Sequence, residues 1–73
     1  MKINDLQLYL ATGTVVYYPA PHDEGKTVRE KVTRLVWARN SDEAKDKMIR
    51  EYEWSGWDAS ESVIENLEVT EAL

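Results

Sequence analysis

The chain has 73 residues, no cysteine and a single histidine, and its 14 acidic against nine basic side chains give a net charge of −5. That length supports one small domain with a thin core. The composition excludes disulfides and thiolate metal sites, and the acidity opposes non-specific binding to nucleic acid.

Hydrophobic residues make up 42% of the chain, with three tryptophans and four tyrosines, so it has the apolar surface that disordered chains lack. No apolar run approaches the ~20 residues of a membrane helix. Residues 1–5 (Met-Lys-Ile-Asn-Asp) lack the apolar stretch of a signal peptide. The expectation is a single domain over residues 1–73 in the cytoplasm. Charge is uneven along it. Residues 1–40 hold six bases against four acids, and residues 41–73 hold three against ten, which is +2 and −7.

Taken in chain order, residues 6–18 read as a long strand rich in Leu, Tyr, Val and Thr. Leu6, Leu8 and Leu10 alternate with Gln7, Tyr9 and Ala11. Gly13 interrupts this strand, and a glycine there often marks a bulge. The segment Pro19-Ala20-Pro21-His22-Asp23-Glu24-Gly25-Lys26 is a loop. Residues 27–39 form a second strand, with Val28, Val32, Val36 and Ala38 on one face and Leu35 and Trp37 on the other. Asn40-Ser41-Asp42-Glu43 is a helix start. Asn40 or Ser41 can accept from orphan amides, and the two acids suit the positive end of the helix dipole. Ala44, Met48 and Tyr52 repeat at helical spacing with Ile49 beside them, and the helix should stop near residues 53–54. Trp54-Ser55-Gly56-Trp57-Asp58 is a loop, and residues 63–70 a last strand.

The fold class expected is α+β. It is a two-layer sandwich whose three-stranded, mostly antiparallel sheet runs β-β-α-β in sequence and 2-1-3 in space, with one helix on one face. The expected core is Leu6, Leu8, Leu10, Val16, Val32, Val36, Ala38, Ala44, Met48, Ile49, Tyr52, Leu67 and Val69.

One helix leaves the second sheet face uncovered. Strict alternation places Tyr9, Val15, Tyr17, Leu35, Trp37 and Ile64 there, fringed by Arg29, Lys31 and Arg39. Exposed apolar patches mark interaction sites, and Tyr, Trp and Arg are enriched in binding hot spots. Two readings compete with an interface. A bulge at Gly13 would swap the faces of all later residues in that strand, and the Trp54–Trp57 loop could fold beneath the sheet.

Catalytic chemistry is not legible. His22 sits in a proline-rich loop with no serine nearby, and the three glycines build no phosphate loop. The acids read as a solvated face, or as a carboxylate row for a basic partner. The expectation is therefore a non-enzymatic protein-binding module without cofactor or metal. Its candidate contact residues are Tyr9, Tyr17, Leu35, Trp37, Arg39, Trp57, Glu65 and Glu68. A single-stranded nucleic-acid binder using the same aromatics and bases is the second reading. A homodimer pairing the patch across a two-fold axis is the third.

The stretch Leu35-Val36-Trp37-Ala38-Arg39-Asn40-Ser41-Asp42-Glu43-Ala44-Lys45, a strand passing through a polar cap into a helix, is a pattern of small phage and mobile-element proteins. Size, acidity and element order together resemble those of phage-encoded anti-defence proteins, some anti-CRISPR proteins among them. The resemblance implies a protein that binds and blocks a host or defence protein.

Overall fold

A computed structural model describes residues 2–72. The elements are β1 (Lys2–Ile3), β2 (Leu6–Tyr18), β3 (Val28–Ala38), α1 (Ser41–Tyr52), β4 (Trp54–Ser55) and β5 (Glu61–Glu71). All five strands join one sheet, and every pairing is antiparallel. The long strands lie in the order β3-β2-β5, so the α+β class and the 2-1-3 arrangement hold.

The sheet has five strands rather than three. The two extra strands are two residues each, too short for any alternation to show. β1 folds back on β2 through Asn4 and Asp5, with Ile3 opposite Leu6. Asn4 takes φ 56° there, a left-handed conformation that asparagine tolerates. β4 extends the outer edge of β5, with Trp54 opposite Ser62.

Helix α1 starts where the sequence placed it. Asn40 is extended at φ −155°, and its Oδ1 accepts from the Glu43 amide at 2.8 Å. Asp42 and Glu43 occupy the first turn. At the far end, Glu53 donates its amide to the Ile49 carbonyl at 2.7 Å. Its Oε2 accepts from the Ile64 amide at 3.0 Å, which ties the helix terminus to β5.

The core lies between α1 and one sheet face. Tyr9, Ala38 and Ala44 form its buried cluster, with Val36 and Val69 packed against it. Met48 and Ala11 are also buried. Small residues on both layers, Ala11 and Ala38 on the sheet and Ala44 on the helix, let the backbones approach closely. The Tyr9 ring fills the space that remains.

This inverts part of the expected pattern. Tyr9 pairs with Val36 and Ala11 with Val69, so these residues share the helix face. Leu8 pairs with Trp37 and Leu10 with Leu35, so the leucines lie on the opposite face. The sequence reading was displaced by one residue in the β2–β3 register, and a shift of one exchanges faces. Leu10 is 38% exposed and Ile49 is also 38% exposed, so neither belongs to the core. Leu6 and Leu8 are half-buried away from the helix, whereas Val16, Ala38, Ala44 and Met48 are buried as expected.

The irregularity foreseen at Gly13 belongs to its partner strand. The β2–β3 pairing runs unbroken through Gly13 opposite Val32, so β2 keeps its alternation from end to end. On the other side, the β2–β5 register shifts between Thr12–Glu68 and Thr14–Glu65. Asn66 and Leu67 therefore face the single residue Gly13, which makes β5 the bulged strand. Asn66 takes φ 54° within the bulge. The missing side chain at Gly13 has a use: a Cβ there would stand 2.8 Å from Cδ1 and 2.9 Å from Cγ1 of Ile64.

Candidate functional site

Cross-strand pairing fixes which side chains share the uncovered face. β3 contributes Arg29, Lys31, Thr33, Leu35 and Trp37. β2 contributes Leu8, Leu10, Thr12, Thr14, Val16 and Tyr18. β5 contributes Glu61, Val63, Glu65, Glu68 and Thr70. Antiparallel partners directly opposite one another lie on the same side of a sheet.

These residues sort into three zones. At the β3-Trp37 end, Leu8, Leu10, Leu35 and Trp37 form an apolar square. Leu35 is 61% exposed, and Leu8 and Trp37 are half-buried. In the middle, Thr12, Thr14 and Thr33 line a shallow depression with Lys31 on one rim and Glu68 on the other. At the far end Val16 is fully buried, so the exposed apolar surface is confined to the first zone. Charge runs crosswise. The β3 row carries Arg29 and Lys31, and the β5 row carries Glu61, Glu65 and Glu68.

The free edge of β3 is guarded. Lys47, nearly two turns into α1, donates its Nζ to the Trp37 carbonyl at 2.5 Å. Arg34 reaches from β3 to the helix end, donating to Glu51 Oε1 at 3.2 Å and to the Tyr52 hydroxyl at 3.3 Å. Those two partners hold the Arg34 pKa above its ordinary value, the Tyr52 hydrogen bond contributing most. Edge strands invite pairing with another chain, and side chains laid over their carbonyls discourage it.

Of the contact residues expected from sequence, Leu35 and Trp37 stand together on the open face, and Glu65 and Glu68 lie along its β5 margin. Arg39 is exposed just beyond β3, next to the Trp37 end. Tyr9 is 7% exposed beneath the helix, which removes it from any contact surface. Tyr17 lies on the helix face against Trp54, ring centroids 5.8 Å apart. Val15 and Ile64 are paired with each other on that same face. The contributors that alternation missed are Leu8 and Leu10. Their signal was present, as two leucines two residues apart, but it was read as core.

Trp57 stands apart. It is 100% exposed on the loop between β4 and β5. The loop is built by its polar residues. Gly56 donates its amide to the Ser60 carbonyl at 2.7 Å. Asp58 Oδ1 accepts from the Ser60 hydroxyl at 2.6 Å and from its amide at 3.0 Å. These donors hold the Asp58 carboxyl below the usual carboxylate range, the Ser60 hydroxyl most of all. A Cβ at Gly56 would meet Ser60 Oγ at 2.6 Å and Asp58 Oδ1 at 2.7 Å, so a larger residue there would displace the Asp58–Ser60 hydrogen bonds. The loop does not fold beneath the sheet to cover the apolar square, because its one large side chain is free in solvent.

Among the described residues no group of three or more His, Asp or Glu side chains could hold a metal ion. No described helix is long and apolar enough to cross a membrane. Comparison with family models, curated proteins and solved structures gave no match.

Proposed function

We propose that the chain is a protein-binding module that works through the open face of its sheet. The observation that carries this is the apolar square of Leu8, Leu10, Leu35 and Trp37, which lies on the sheet face opposite the helix and is exposed at its Leu10 and Leu35 corners. Solvent-facing sheet surfaces are ordinarily polar. Here a tryptophan and three leucines are clustered, with Arg39 and Lys31 nearby and glutamates opposite, which is the composition of an apolar hot spot with a charged rim. The resemblance of its layout to phage anti-defence proteins would imply a blocking role for such a binder, but the reading rests on the sheet face and names no target.

The nucleic-acid reading loses support from the same geometry. Stacking needs aromatic rings spaced for successive bases. Tyr9 and Tyr17 turn toward the helix. The aromatics left on the open face, Trp37 level with Leu8 and Tyr18, lie at opposite ends of β2. At ~3.3 Å per residue they are about 30 Å apart. Three glutamates also border the face.

The test is affinity capture from a bacterial lysate with the native chain and with Leu35→Asp and Trp37→Ala, each checked for native circular dichroism. Partners that depend on this face are lost from both variants. Retention of every captured protein by both would rule the face out.

A further inference from the structure

We infer that the partner of the open face is a second copy of this chain, stacked face to face about a two-fold axis that runs parallel to β2. The inference rests on the binding reading above and goes further by naming the occupant.

The argument begins with the charge pattern. Lys31, Thr14 and Glu65 stand in one row across the sheet, base on β3, neutral in the centre, acid on β5. One row to either side, Arg29 on β3 stands across Val16 from Val63, and Glu68 on β5 stands across Thr12 from Thr33, while Glu61 is two rows away, so the match rests on the Lys31–Glu65 row. Such a face is complementary to itself, provided β3 of one copy lies over β5 of the other. A two-fold axis along the central strand does this. It exchanges left and right and leaves position along the strand unchanged. Lys31 of each copy then meets Glu65 of its partner twice over, as an isologous interface requires.

The same operation settles the apolar zone. Because height along the strands is preserved, the Leu8–Trp37 end of one copy meets the same end of the other. Leu8 and Leu10, on the axis strand, pack against their own counterparts. Leu35 and Trp37 cover Thr70 and the end of β5. No sliding along the strands is possible without breaking the symmetry, so the register has no free parameter. A two-fold axis perpendicular to the strands fails both conditions. It lays β3 over β3 and β5 over β5, so Lys31 never reaches Glu65.

Competing modes agree. Sheets packed face to face in this way align to within about 30°. Lys47 on the Trp37 carbonyl obstructs edge-to-edge pairing of β3 at this end.

Sedimentation equilibrium tests the inference with two charge reversals, Lys31→Glu and Glu65→Lys. The native chain should be dimeric at tens of micromolar. Each single variant places like charges together at two sites. At about fivefold per exposed contact, dimerisation should weaken by roughly 25-fold. An equimolar mixture of the two variants should recover native affinity as a heterodimer, because each reversed residue then meets its reversed complement. Leu10→Arg should give a monomer. A native chain that stays monomeric up to about millimolar concentration overturns the proposal, as does a mixture no tighter than the single variants. If the chain is monomeric yet Leu35→Asp still loses lysate partners, self-pairing fails while the binding face stands. If both fail, neither survives.

Discussion

Replacing Gly13 with alanine tests the β5 bulge and its packing at once. The added Cβ would stand 2.8 Å and 2.9 Å from the two outer carbons of the Ile64 side chain, closer than packed carbons come. Forcing a methyl group into such a contact costs about 1–3 kcal/mol. The loss of glycine freedom in the unfolded chain returns about 0.4–1 kcal/mol. The net expectation is a destabilisation of about 1–2 kcal/mol, against a total of about 4–11 kcal/mol for a domain of this length. That corresponds to a fall in Tm of roughly 5–15 °C. The assay is urea unfolding of a double-mutant cycle with Ile64→Ala, which deletes both offending carbons. On that background Gly13→Ala should be neutral or mildly stabilising, giving a favourable coupling of about 2 kcal/mol. Additivity within about 0.5 kcal/mol would refute the reasoning, since sites that do not touch add to that precision. So would a stabilised Gly13→Ala single variant.

Three further outcomes follow from the packing and the loops. Met48→Ala, which empties the most enclosed large side chain of the helix, should cost about 2–5 kcal/mol in urea unfolding. Asn40→Ala should cost about 1 kcal/mol and Asn40→Asp far less, because aspartate keeps the oxygen that accepts from Glu43. Asp58 should sensitise the β4–β5 loop to acid. Its pKa is lower in the folded than in the unfolded chain, so its contribution is complete above the ordinary carboxylate value of ~3.9 and fades as pH falls through the folded value. Asp58→Asn should flatten that part of the urea-midpoint profile below pH 5, and an unchanged acid limb would contradict the assignment.

The order of the long strands was legible because local signals enforce it. Pro19 and Pro21 end β2, and the Asn40 cap starts α1 within a residue of where the polar cluster places it. What the sequence left ambiguous is which sheet face the helix chooses. Both faces of β2 are apolar enough to be inside. Leucines attract a core assignment, yet apolar residues are common on protein surfaces and their presence alone does not locate the core. The choice was made by size. Ala38 and Ala44 pack with Tyr9 in a buried cluster, and Ala11 is fully buried on the same face, where leucines would hold the helix further off. The bulge was equally ambiguous, because Gly13 marks the level of the irregularity while Asn66 and Leu67 on the partner strand carry it. The proposed contact face could be half read for the same reason: Leu35 and Trp37 follow from β3 alone, and Leu8 and Leu10 need the register.

The placement of β5 has a kinetic consequence. Joining β2 to β3 closes the short loop between Tyr17 and Val28, whereas joining β2 to β5 must bring Tyr18 to Glu61 across the whole helix. The longer closure costs about 1 kcal/mol more in chain entropy, and contacts distant in sequence slow folding. The β2–β3 hairpin should therefore form first, with one side of β2 unpaired until β5 docks. In that interval the central strand is open to any other chain with a free edge. Substitutions that delay docking, such as replacing Asn66 where the bulge needs its left-handed backbone, should appear first as aggregation on refolding rather than as lost equilibrium stability.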